Sequence, residues 1–170
     1  GCEFCAIPSG NNVRGSALAR SPKMVAEDIE FFQKKYQTAY FSFGNETLGK
    51  FYLQRLCDEL EKRKIEATID GYTRTDTFYT NEKRIDMDFI KQIAKYFRFL
   101  QIGFESYNEE TLKSMKKNRE ENSDSDLVRA LFKNKIYPHA FLIIGFPPMR
   151  DQVIGSKASY INYYVNAGLQ

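Results

Sequence analysis

Phe99-Leu100-Gln101-Ile102-Gly103-Phe104, closed by Glu105-Ser106, is an apolar run bounded by polar residues. Its length and composition predict a strand. Ahead of it, Asp86 to Phe97 sets Phe89, Ile90 and Ile93 behind an aspartate suited to capping a helix. Behind it, Asn108 can cap a second helix carrying Thr111, Leu112 and Met115. Helix, strand and helix follow one another here, and the same unit recurs in both directions.

Toward the N-terminus, Ile65 to Asp70 predicts a strand that ends at Asp70-Gly71, after a helix from Thr47 to Lys64 with Leu48, Phe51, Leu56 and Leu60 on its apolar face. Before that, Ala39 to Phe43 predicts a strand ending at Gly44. Its helix starts at Ser21-Pro22, an N-cap with proline at the first helical position, and shows Val25, Ile29, Phe32 and Tyr36 in register. Toward the C-terminus, Lys116 to Asp126 reads as a mobile stretch whose charges are solvated. A helix capped by Ser125 or Asp126 follows, with Leu127, Val128, Leu131 and Phe132 on its core face. Pro138 to Ile144 then predicts a fourth strand, broken by Gly145-Phe146-Pro147-Pro148, and Asp151 to Ala167 a last helix.

Strands alternating with helices of this length imply parallel β-α units joined by right-handed crossovers, so the fold class is α/β. In parallel sheets and barrels ligands bind where strand C-termini meet. The tips Gly44-Asn45-Glu46, Asp70-Gly71, Glu105-Ser106 and Gly145-Phe146 are therefore expected at one mouth. Glu46 and Glu105 each follow a buried strand and need a cation, donors or water. Arg74, just beyond the second strand, either holds a ligand's carboxylate or ribose or pairs with Asp76. His139 lies near the start of the fourth strand, away from the tips, and reads as structural. Cys57, inside a helical pattern, reads as a small semi-buried side chain.

A chain of 170 residues fits one domain, 1–170, with a core that needs no disulfide staples. The net charge of +3, with bases and acids interleaved, indicates no nucleic-acid surface. No apolar run is long enough for a membrane span. Three cysteines without a disulfide framework suit a reducing, cytoplasmic setting. Two of them form Gly1-Cys2-Glu3-Phe4-Cys5, and a Cys-x-x-Cys turn alone serves zinc, redox or iron-sulfur chemistry equally. One alternative is thus a zinc or redox pair on a non-catalytic β-α interaction module. That reading needs further ligands, for which Cys57 and His139 are poor candidates.

Taken together, these stretches resemble the radical S-adenosylmethionine (SAM) superfamily. Gly1-Cys2-Glu3-Phe4-Cys5 looks like the end of its Cys-x-x-x-Cys-x-x-Cys motif, whose first cysteine would lie four residues before Cys2. Phe43-Gly44-Asn45-Glu46-Thr47 is similar to the second-strand motif, with Asn45-Glu46 where glycine-glutamate or two acids are commoner. Arg74-Thr75-Asp76 resembles the Arg-x-Asp after the third strand. Ile102-Gly103-Phe104-Glu105-Ser106, with Thr111-Leu112-Lys113 and Lys116, resembles the fourth-strand segment. Leu142 to Pro147 resembles the fifth, although Pro148-Met149-Arg150 replaces its usual small acidic segment.

The resemblance is strongest to the branch of methylthiotransferases and cobalamin-dependent radical SAM enzymes. It implies a partial TIM-type barrel core, truncated at both ends and inactive as a fragment, with a [4Fe-4S] cluster, SAM, an electron donor and a substrate the sequence does not name. A cobalamin-binding domain would lie outside this stretch. By position, Cys2 and Cys5 would ligate the cluster with Phe4 beside it, and Glu46 would take the SAM ammonium. Arg74 and Glu105 would contact ribose or carboxylate, and Gly145 and Phe146 would lie against adenine. Gly44, Asn45, Ser106 and Pro147 complete the implied cofactor-binding set. The implied reaction is reductive cleavage of SAM to a 5′-deoxyadenosyl radical.

Overall fold

The computed structural model describes residues 20–44, 47–106, 109–117 and 123–143. The helices are α1 (Pro22–Tyr36), α2 (Lys50–Lys62), α3 (Met87–Ile93), α4 (Glu109–Ser114) and α5 (Ser123–Lys133). The strands are β1 (Tyr40–Ser42), β2 (Thr68–Arg74), β3 (Phe97–Glu105) and β4 (Tyr137–Leu142). Among the described residues they form one sheet in the order β1-β2-β3-β4, with every neighbouring pair parallel. Chain order equals sheet order, as successive β-α crossovers of one hand require.

Local chemistry accounts for the starts of α1 and α3. The Ser21 hydroxyl accepts from the Met24 N–H at 3.3 Å, and Pro22 occupies the first helical position. At α3 the Asp86 carboxylate accepts from the Phe89 N–H at 2.9 Å and also meets Lys50 Nζ at 2.7 Å, so it caps one helix and ties it to another. The Lys50 ammonium and the Phe89 N–H hold Asp86 below the usual carboxylate range.

The core lies between the sheet and its helices. It includes Ile69, Leu100, Ile102 and Phe104 from the strands, Leu53, Leu56 and Leu60 from α2, Phe89, Ile90 and Ile93 from α3, and Leu127, Val128 and Leu131 from α5. Cys57 is fully buried rather than half-buried, and burial pushes its thiol up to about 12, which makes it an inert packing residue.

Several expected boundaries and faces shift. Phe32 and Tyr36 are exposed, and α1 buries Ala26 and Ile29 instead, because only that edge faces α2. Phe51 is 70% exposed, and α2 begins at Lys50, not Thr47. Leu48 stays outside the helix because its backbone is held by β2, the N–H donating to Tyr72 O at 2.7 Å and the carbonyl accepting from Thr73 Oγ1 at 2.8 Å. Strand β2 runs on to Arg74, so Asp70-Gly71 is not its tip. Gly71 lies within the strand because the Leu48 side chain sits 2.8 Å from where its Cβ would be. Helix α3 stops at Ile93, and β3 starts at Phe97, two residues earlier than expected. Helix α5 begins at Ser123, and Asp124, expected in solvent, is buried. Strand β4 ends at Leu142. The helix expected over 151–167 lies outside the described residues.

Candidate functional site

Because the strands are parallel, their C-terminal ends share one edge of the sheet. Gly44 follows β1 there, Arg74 ends β2, and Glu105 with Ser106 ends β3. Arg74 is in register with Gly103, two residues short of Glu105. Cys2, Phe4, Cys5, Asn45, Glu46, Gly145, Phe146 and Pro147 lie outside the described residues.

Glu105 is the most constrained member. Its φ is +62°, a left-handed conformation that costs a β-carbon-bearing residue free energy, and the β3-β4 register shifts between Gly103 and Glu105. The next turn closes tightly, with Ser106 N–H donating to Phe104 O at 2.7 Å and Ile143 N–H to Glu105 O at 2.8 Å. This geometry folds the Glu105 carboxylate back over Gly103. A Cβ at position 103 would collide with Glu105 Oε1 and lie 3.2 Å from Lys117 Nζ. Glycine therefore opens the space that the carboxylate occupies.

Lys117 completes that arrangement. Its ammonium donates to Glu105 Oε1 at 2.6 Å and to the Gly103 carbonyl at 3.4 Å, and the two side chains are only 12% and 10% exposed. The sequence places Lys117 in a stretch expected to be solvated, whereas the chain folds it onto the strand tip. The available signal was a buried-strand glutamate in need of a cation, which did not say which lysine would supply it. Ser106 is fully buried. Arg74 makes a fork to Asp76, Nε to Oδ1 at 3.0 Å and Nη2 to Oδ2 at 2.7 Å, with both side chains about half exposed, so this pair adds little stability. Around Gly44 no atom lies within 4 Å of a Cβ position, so packing does not require glycine there.

The sheet face opposite the helices continues down from this edge. It carries Asp70 and Tyr72 on β2, Phe99, Gln101 and Gly103 on β3, and Tyr137, His139 and Phe141 on β4, all half-buried or exposed. Their alternation with buried neighbours places them on one side. Tyr40 donates its phenol to Asp70 Oδ2 at 2.7 Å, and that bond to a carboxylate raises the phenol above its ordinary value. His139 is exposed in mid-strand on this face, its ring 5.4 Å from that of Phe141, so it is not part of the core.

At the opposite, N-terminal edge a depression of about 540 Å³ is lined by Ala39, Lys64, Thr68, Tyr96 and Lys95, among others, with Lys95 paired to Glu61 at 2.7 Å. Among the described residues at that edge, Lys64 has a positive φ, but its charge and those of Glu61 and Lys95 are exposed, unlike the buried pair at the tips. Among the described residues no three His, Cys, Asp or Glu side chains come together to hold a metal ion. Cys57 and His139 lie on opposite sides of the sheet, which removes them as joint ligands.

Comparison with known proteins follows the same lines. The family model described as the radical SAM superfamily matches residues 1–155. The chain is 28% identical over 147 residues to the anaerobic magnesium-protoporphyrin IX monomethyl ester cyclase of a Synechocystis species, covering 85% of this chain and 29% of that protein. It is 26% identical over 172 residues to the ribosomal protein uS12 methylthiotransferase RimO of Natranaerobius thermophilus, covering 94% of this chain and 37% of that protein. Among solved structures, the cobalamin-dependent SAM radical enzyme OxsB with aqua-cobalamin superposes with a TM-score of 0.61 at 17% identity, over 72% of this chain and 19% of that one. The coproporphyrinogen III oxidase HemN from Escherichia coli, a radical SAM enzyme, gives a TM-score of 0.52 at 16% identity, over 86% of this chain and 36% of that one. These structural likenesses carry the fold, and the chain spans well under half of each relative.

Proposed function

The chain belongs to the radical SAM superfamily, and on that premise we propose that residues 1–170 are the core domain of an enzyme that binds a [4Fe-4S] cluster and cleaves SAM reductively. The observation that carries the reading is the strand-tip arrangement of Arg74, Glu105 and Lys117 at one edge of a parallel sheet, with Gly103 opened beneath it. Two ion pairs at one edge, Arg74 with Asp76 and Lys117 with Glu105, suit a ligand that presents ribose hydroxyls, an ammonium and a carboxylate and can exchange with either pair.

In this reading Cys2 and Cys5 are thiolate ligands of the cluster, with Phe4 packed beside it, and Glu46 accepts from the SAM ammonium. Gly44 and Asn45 bring backbone close to SAM. Glu105 accepts from a ribose hydroxyl, and Lys117 holds that carboxylate in place. Arg74 exchanges part of its fork to Asp76 for the ligand, at little cost because the pair is exposed. Ser106 fixes the turn after Glu105, while Gly145, Phe146 and Pro147 lie against adenine. Cluster and SAM, when bound, would supply one-electron reductive cleavage of the SAM sulfur–C5′ bond, with methionine as the leaving group and the electron coming from an external donor, while the chain would orient substrate and exclude water.

The two curated relatives carry different substrates in their names, a magnesium porphyrin ester and a ribosomal protein, so kinship alone selects neither for this chain. An electron donor is required, and cobalamin in a further domain is compatible with the OxsB likeness. No described helix is long and apolar enough to cross a membrane. Free thiols and a reducible cluster fit the cytoplasm.

The test is anaerobic reconstitution with iron and sulfide of the protein carrying the cysteine expected four residues before Cys2. A reducible [4Fe-4S] electron paramagnetic resonance signal that SAM perturbs, with 5′-deoxyadenosine as product, is expected. Cys2→Ala and Cys5→Ala should abolish both, and Cys57→Ala should leave both intact. A signal indifferent to saturating SAM, or stoichiometric zinc in place of iron, would overturn the reading.

A further inference from the structure

The sheet face below the strand tips has a composition unlike that of a packed barrel interior. Barrel interiors are filled mainly by branched aliphatic side chains. Here, among the described residues of β2, β3 and β4, the positions alternating on this side from Asp70, Phe99 and Tyr137 include no Val, Ile, Leu or Met. Ile69, Leu100 and Ile102 of the same strands point the other way and are fully buried, and Leu142 on β4 is partly buried against the same core. The side opposite the helices is instead built from aromatic rings with hydrogen-bonding groups set among them.

Those rings form two groups on one face, joined by the Gln101 row between them. Phe99 and Tyr137 are adjacent in register, their centroids 5.7 Å apart. In the next row Tyr72, Gln101 and His139 lie side by side across three strands. Tyr72 on β2 and Phe141 on β4 lie almost parallel, 4° between planes and 6.0 Å between centroids. They meet across β3 beside Gly103, which contributes no side chain to keep them apart. His139 packs on Phe141 from below. The span from β2 to β4 is about 10 Å at the usual strand spacing, wider than a single six-membered ring. This surface is continuous with the tips, where the Glu105–Lys117 pair lies over Gly103.

We propose that this wall binds the substrate, and that the substrate is a flat conjugated ring system of more than one ring, with polar groups on its edge. Its face stacks on Tyr72 and Phe141, and its edge groups hydrogen-bond to Gln101 and His139. Both of these side chains donate and accept, so they serve ring nitrogens and ring carbonyls alike. Flat rings gain from offset stacking what a flexible chain or a saturated ring of the same size does not. The inference rests on the reading of the chain as a SAM-cleaving core, which puts the wall directly below the site where SAM would be cleaved.

The test uses the protein with its cluster reconstituted and two probes, anthracene-2-carboxylate and its fully hydrogenated counterpart, which share skeleton and charge. Calorimetry in the presence of SAM should give about ten-fold tighter binding of the flat probe. Phe141→Leu and Tyr72→Leu, which keep an apolar side chain, should each remove about three-fold of that preference. His139→Ala, at an exposed position where folding is not at stake, should weaken both probes by a similar factor. Equal affinity for the two probes, no binding at millimolar concentration, a preference untouched in both leucine variants, or an affinity untouched in His139→Ala would overturn the proposal. Formation of 5′-deoxyadenosine is followed in the same samples. Failure of that reaction with the flat-ring preference intact would count against SAM cleavage and not against the wall, and the reverse pattern would count against the wall alone.

Discussion

The two faces of the sheet come from the same strands and are opposite in chemistry. Toward the helices β3 presents Leu100, Ile102 and Phe104, none of them accessible, while toward the other side it presents Phe99, Gln101 and Gly103. One face is a core held by burial of apolar surface, and the other is an aromatic and polar wall that contributes little to stability. The difference teaches that strand alternation here separates a face closed by packing from one left open to other groups. It also turns on one irregularity: the β2-β3 register shifts between Ile69 and Asp70, so that Phe97 is buried and Phe99 exposed although both are odd-numbered.

The sharpest way to break the comparison is to truncate one aromatic on each face. Phe104→Ala should cost about 3–5 kcal/mol, whereas Phe99→Ala, at 49% exposure, should cost less than about 1 kcal/mol. Urea unfolding of the two variants measures this, and similar losses would mean that the second face is also core. Next in size is the ion pair at the upper edge of the wall. Lys117→Met leaves Glu105 buried without its cation and should cost about 3 kcal/mol, most of it recovered when Glu105→Gln is added. An additive double variant would show that the pair is not coupled.

Gly103→Ala probes the same place from the backbone. Forcing the Glu105 carboxylate aside should cost about 2 kcal/mol, and a Glu105→Ala background should shrink that cost. A penalty unchanged in that background would place the strain in the strand instead. The smallest effect belongs to the helix layer. Asp86→Asn should cost about 1 kcal/mol at neutral pH. Because folding lowers the Asp86 value below 3.8, its contribution is present above that pH and is lost as pH falls through the lower, folded value. The gap between wild type and variant should therefore close on acidification below about pH 4, and a gap that widens would contradict the assignment.

Legibility in the sequence followed the range of the interaction. Ser21 and Asp86 were readable as caps because a cap bonds to an N–H three residues away. The succession of helices and strands was readable from apolar spacing, and with it the parallel sheet and the shared edge of Arg74 and Glu105. Phe32, Tyr36 and Phe51 were misplaced because periodicity marks an apolar stripe without marking which part of it meets a neighbour. Asp70-Gly71 looked like a strand end because glycine more often punctuates a chain than admits a side chain from elsewhere, as it does for Leu48.

By itself, then, the sequence determined the α/β alternation, the starts of α1 and α3 and the place of Arg74 and Glu105 at strand ends, all consequences of contacts within a few residues. Only the tertiary structure decided that Lys117 rather than solvent meets Glu105, that Gly103 clears the space for them, and that His139 joins Gln101 and Tyr72 on one wall. Those facts depend on the register between strands and on a loop folding back over twelve positions. Distances across a fold are set by how whole elements pack, and no local periodicity encodes them.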